Sequence, residues 1–101
     1  MEMTLNKSDD SLQINLQGQF TFEDNQRFKA ILEHSQLSHT KQIALDFSKV
    51  DFIDSAGLGM LLLLRDSCLN NHVSVILKHA KGQVQKIFAI SKFDQLFDIT
   101  N

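Results

Sequence analysis

The chain has 101 residues, 43% of them hydrophobic and 22% charged, with a formal net charge of −2. That length fits one domain over residues 1–101, and the balance of charge, with Lys41, Lys49, Lys78, Lys81 and Lys86 scattered along the chain, argues against a nucleic-acid partner. The single cysteine, Cys68, excludes an intrachain disulfide. Met1–Asp10 lacks the apolar centre of a signal peptide, and the longest apolar run, Met60–Leu64, is too short to span a bilayer, so a cytoplasmic protein with no direct membrane contact is expected.

Ser11–Phe20 alternates, with Leu12, Ile14 and Leu16 on one side and Gln13, Asn15 and Gln17 on the other, the period of a half-buried strand. Met3–Lys7 is its expected hairpin partner across Ser8-Asp9-Asp10, and Gly18 marks a bulge or bend. Thr21–Ser35 reads as a helix, with Thr21 as N-cap and Asp24 in a weak capping box. Its apolar stripe is Phe28, Ile31 and Leu32; Glu23, Asp24, Arg27, Lys29 and Glu33 are expected to face water, and Leu37–Lys41 to form a loop. Gln42–Phe47 reads as a strand covered on both faces, followed by a loop carrying Val50, Phe52 and Ile53.

Asp54–Asn70 carries the strongest helical signal. At about 100° per residue, Leu58, Leu61, Leu62, Cys68 and Leu69 fall on one arc, and Met60, Leu63 and Leu64 on another. One arc is expected to face the sheet, the other a neighbouring helix or a partner. Val73–Lys78 reads as a buried strand and Gly82–Ser91 as a helix presenting Val84, Ile87 and Phe88. The tail, with Phe93, Leu96, Phe97 and Ile99, suggests a helical turn and a short strand. Strands separated by helices imply right-handed crossovers and largely parallel pairing.

The chemistry concentrates where the third strand leads into the long helix. Ser55 falls at a helix start, where main-chain N–H groups are unpaired and the helix dipole is positive; either Asp54 or Ser55 serves as the cap. Asp51 and Asp54 flank the serine, and Gly57 and Gly59 occupy the first turns, where each costs about 1 kcal/mol against alanine. Alone, a serine here is an ordinary helix-start residue. Enzymatic readings have little behind them: no second catalytic group lies near Asp51 and Asp54, and no base or orienting group accompanies Ser55. Gly57-Leu58-Gly59 lacks a full phosphate-loop pattern, and His34, His39, His72 and His79 show no metal spacing. Cys68 reads as a core filler. No cofactor, metal or catalytic activity is expected.

Leu45-Asp46-Phe47-Ser48 followed by Phe52-Ile53-Asp54-Ser55-Ala56-Gly57-Leu58-Gly59 resembles the signature of STAS domains, and among them the bacterial anti-sigma factor antagonists. Gly18-Gln19-Phe20 and Phe88–Phe97 are similar to the family's second-strand end and its last helix and tail. The resemblance implies an α/β fold, a mixed sheet of four to five strands with three to four helices. It also implies a partner-switching cycle, in which the unphosphorylated protein binds a serine kinase that doubles as an anti-sigma factor, or another effector. Phosphorylation of Ser55 releases that partner, and a serine phosphatase resets the cycle. By this resemblance Asp54, Ala56, Gly57, Leu58, Gly59 and Met60 form the partner-binding surface, on a monomer or weak dimer. Two departures stand out: Ala56 replaces the family's frequent second serine, and Thr21 stands where an acidic residue is common. The alternative function is that of a non-enzymatic STAS subunit of a membrane lipid-transport ATPase complex.

Overall fold

A computed structural model describes residues 2–34 and 40–100. The elements run β1 (Glu2–Ser8), β2 (Ser11–Phe20), a 3-10 turn (Phe22–Asp24), α1 (Asn25–His34), β3 (Gln42–Ile53), α2 (Ser55–Asn70), β4 (Ser74–Lys78), α3 (Gly82–Ile90), a 3-10 turn (Phe93–Gln95) and β5 (Asp98–Thr100). The five strands lie in sequence order in one mixed sheet. β1 pairs antiparallel with β2; every later neighbour is parallel. Each parallel step moves the sheet the same way through one helix, and right-handed crossovers then place α1, α2 and α3 on the same face.

The alternation along β2 is realised: Leu12, Ile14 and Leu16 are buried, while Gln13 and Asn15 are half-buried on the other face and share a 3.0 Å hydrogen bond. The expected coverage of β3 on both faces holds at Ile43-Ala44-Leu45, where Ala44 is buried opposite its two neighbours, and is lost beyond them. Ile43, Leu45 and Phe47 point into the core, whereas Asp46 and Ser48 are only half-buried on the opposite face. Partial burial alone pushes the Asp46 carboxyl up. The Ser48 N–H and hydroxyl, with His79 and Lys78 nearby, outweigh that and hold it below the usual range.

A second difference is larger. Val50, Phe52 and Ile53 do not lie in a loop: β3 continues to Ile53 alongside β2, with register shifts between Asn15 and Gln17 and between Gly18 and Gln19. Gly18 sits at φ 100°, a left-handed conformation suited to glycine, so the irregularity expected there is present. The bulged strand keeps pairing although its apolar period slips, and that slip hides the strand from an alternation test.

The start of the expected Thr21–Ser35 helix is a 3-10 turn before α1 begins at Asn25. Asp24 is not a water-facing residue; it is 7% exposed and accepts the Thr21 N–H at 3.0 Å. The side chains of Ile31, Leu32 and Glu33, and the expected loop from Leu37, lie outside the described residues up to Thr40. The core joins the two long strands to α2 and to a chain of phenylalanines. Phe47, Phe88, Phe93 and Phe97 contact in series, with ring centroids 5.2–5.3 Å apart, and tie α3 and the tail to β3.

Candidate functional site

Asp54 is the cap, and Ser55 is the first residue of α2. The Asp54 carboxylate holds two separate segments. Its Oδ1 accepts the Gly57 N–H at 2.8 Å, closing the first turn of α2, and its Oδ2 accepts the Phe22 N–H at 3.2 Å, from the turn after β2. The Asp54 N–H donates to the Phe20 carbonyl at 3.3 Å, and the Leu58 N–H donates to the Asp54 carbonyl at 3.0 Å. Two anchors therefore fix the turn before Ser55, while Ser55 itself is exposed.

The two glycines have different reasons. Gly57 is buried against the end of β2. A Cβ there would stand 2.6 Å from the Phe20 carbonyl oxygen and 2.7 Å from Ile53 Cγ1, closer than real Cβ atoms approach. Gly57 thus packs within the chain and gives no surface to a partner. A Cβ at Gly59 would meet nothing within 4 Å. Packing does not require glycine at that position.

Met60 likewise leaves the expected partner-binding set, since it is 4% exposed. The buried stripe of α2 is Gly57, Met60, Leu61, Leu64 and Cys68, which mixes the two arcs read from the sequence. The sheet selects the spacing i, i+3, i+4, i+7 and i+11 from an almost uniformly apolar helix. Leu63 and Leu69 are 60% and 56% exposed. What shares a face with Ser55, at i+3, i+4 and i+7, is half-buried Leu58, Gly59 and exposed Leu62. Ala56 is half-buried beside it. Phe22, 69% exposed, sits on the turn tied to Asp54. Leu62 was within reach of the sequence as the residue two turns on from Ser55. Phe22 was not, because tertiary contacts between the end of β2 and the Asp54 turn bring it close.

The other polar candidates do not join this site. Cys68 is fully buried, and burial pushes its thiol up to about 11, which keeps it protonated and unreactive near neutrality. His72 and His79 are exposed at positive φ in connecting turns. Among the described residues no group of three or more His, Cys, Asp or Glu side chains is placed to hold a metal ion, and no helix is long and apolar enough to cross a membrane.

The family model for the STAS domain matches residues 2–101. The chain belongs to the STAS family. A STAS-domain containing protein of Pseudomonas aeruginosa strain UCBPP-PA14 is 37% identical over 89 residues, which is 88% of this chain and 87% of that protein. BtrV of Bordetella bronchiseptica, provisionally named an anti-sigma factor antagonist, is 29% identical over 101 residues, covering all of this STAS domain and 87% of its own length. Among solved structures, the anti-sigma factor antagonist SpoIIAA in its unphosphorylated form superposes with a TM-score of 0.75 at 18% identity, over 99% of this chain and 87% of that one. Its phosphorylated form gives a TM-score of 0.70 at 16% identity, over 99% and 92%. The sheet order and helices of this STAS domain are those of the SpoIIAA fold.

Proposed function

We propose that this STAS domain is a non-catalytic, protein-binding switch of the anti-sigma factor antagonist type, working inside the cell. It binds a serine kinase with anti-sigma activity, or a comparable effector, when Ser55 is unmodified. Phosphorylation of Ser55 releases that partner and a serine phosphatase restores binding. The observation that carries this reading is the exposed Ser55 hydroxyl on a turn that Asp54 fastens to both Phe22 and Gly57. A kinase needs an accessible hydroxyl in a defined place, and the two Asp54 hydrogen bonds hold the turn that carries this one.

The docking surface on this reading consists of Ser55, Ala56, Leu58, Gly59 and Leu62, with Phe22 at its margin. A phosphoserine carries about −1.5 to −2 charge at neutral pH. Set on this apolar face beside Asp54, that charge is desolvated on docking unless the partner supplies a cation. Burying an unpaired charge costs about 3 kcal/mol or more, enough to weaken binding at least about 100-fold. The unmodified surface has no such cost. BtrV and SpoIIAA, named as antagonists of anti-sigma factors, agree in kind with this reading. The transport-subunit alternative rests on the shared fold alone, and fold does not fix function.

The test is to incubate the protein with lysate of its source cells and ATP and to map phosphate by mass spectrometry. Partner capture by the unmodified chain is then compared with Ser55→Ala and Ser55→Asp. Phosphate on Ser55, with capture kept by Ser55→Ala and lost by Ser55→Asp, is expected. No phosphate on Ser55 together with equal capture by both variants would sink the switch.

A further inference from the structure

β3 outruns β4. The strand extends from Gln42 to Ile53, but β4 pairs only with Gln42–Asp46. Beyond Asp46, β2 still lines one edge as far as Ile53, and among the described residues no strand lines the other. At the tip of that open edge a side chain takes the place of a strand. Gln83, in the first turn of α3, accepts the Ile53 N–H through Oε1 at 3.1 Å and donates from Nε2 to the Ile53 carbonyl, also at 3.1 Å. One carboxamide satisfies both main-chain groups of the residue, which would otherwise face the gap unpaired.

Ile53 lies two residues before Ser55, and its side chain abuts Gly57 so closely that no Cβ fits between them. A shift of Ile53 is therefore transmitted to the first turn of α2. The Asp54 carboxylate fastens that turn to the end of β2; Gln83 fastens it to α3, thirty residues further on. Both hydrogen bonds of the Gln83 carboxamide go to Ile53 and neither to its own helix, whose N-cap residue, Lys81, makes no side-chain cap. We propose that Gln83 is a positioning residue for Ser55, holding the turn in the geometry from which the hydroxyl is presented. The functional half of this claim rests on Ser55 being the phosphoacceptor.

The experiment compares three variants: Gln83→Ala, Gln83→Glu, and Ile14→Val as a core substitution that lowers thermal stability without touching the turn. Glu has the shape of Gln but at neutral pH lacks the donor, so a role in packing alone tolerates it and a two-bond clamp does not. Amide exchange at Ile53–Gly57 is read by NMR, and the rate of phosphate incorporation at Ser55 is read in source-cell lysate with ATP. Both Gln83 variants are expected to speed exchange at Ile53 and Asp54 about tenfold, the order for losing one or two hydrogen bonds, with Leu45 unchanged. They are also expected to slow Ser55 phosphorylation several-fold, whereas Ile14→Val does neither. Exchange at Ile53–Gly57 within about twofold of wild type in Gln83→Ala, full tolerance of Gln83→Glu, or equal slowing by Ile14→Val overturns the proposal. If wild type takes no phosphate on Ser55 and Ser55→Ala and Ser55→Asp capture partner equally, the switch reading falls by itself, and the exchange measurement decides the hold of Gln83 on the turn.

Discussion

Gly57 and Gly59 stand two residues apart in one helix, and the contrast between them separates packing from function. Gly57 has the Phe20 carbonyl and Ile53 where a Cβ would go, so Gly57→Ala must push α2 off the end of β2. Urea unfolding should show it destabilised by about 2 kcal/mol, the usual range for overpacking. Gly59 has open space around its missing Cβ, so Gly59→Ala should gain about 0.5–1 kcal/mol from helix propensity. If the outward face of α2 is the docking surface, the same stabilised variant should bind its partner more weakly. Cys68 offers a pH test. Burial raises its pKa from 9.0 to about 11, so the folded chain keeps the proton that the unfolded chain gives up. That contribution is complete below pH 9 and is lost as pH rises from there to about 11. Denaturation curves of wild type should lose midpoint across that window more steeply than those of Cys68→Ala.

At the scale of elements, α2 shows why an apolar pattern can announce a helix without giving its orientation. Leucine or methionine fills five consecutive positions from Met60 to Leu64, so a wheel offers several directions of nearly equal apolarity. The sheet chose Leu61 and Leu64 and left Leu63 60% exposed. Leu64→Ala should therefore cost about 2–5 kcal/mol, and Leu63→Ala less than about 0.5 kcal/mol, in matched chemical denaturation. The reverse ranking would mean that α2 is rotated. β3 gives the companion lesson. Its first half was legible from Ile43-Ala44-Leu45, but the stretch to Ile53 was not, because a bulge shifts the side-chain period and polar Ser48, Lys49 and Asp51 interrupt it. What identifies that stretch as strand is β2 lying beside it.

At the scale of the molecule, the tail matters out of proportion to its length. β5 is three residues long and pairs only with Ile76–Lys78, yet Phe93 and Phe97 extend the ring chain from Phe47 and Phe88. Phe97→Ala should cost about 3–5 kcal/mol and bare the β4 edge, seen as a lowered midpoint and faster amide exchange along β4. Phosphate on Ser55 should behave differently. Its site is exposed and outside the core, so addition of phosphate should leave the midpoint nearly unchanged and confine NMR shift changes to the first turns of α2 and the Phe22 turn. A global spectral change would point to a refolding switch in place of a change of surface charge.

The order of strands and helices, the parallel crossovers, the family motif and the serine at its centre are all legible along the chain. These follow from local periodicity, from turn chemistry and from residues adjacent in the chain. Tertiary structure alone decided which face of α2 is free, that Asp54 caps the helix while holding Phe22, that Gly57 and Met60 belong to the interior, and that Gln83 closes the edge of β3. The reason is the same in each case: these are contacts between segments distant in the chain, and composition and spacing carry no record of which distant atom fills a gap or takes a hydrogen bond.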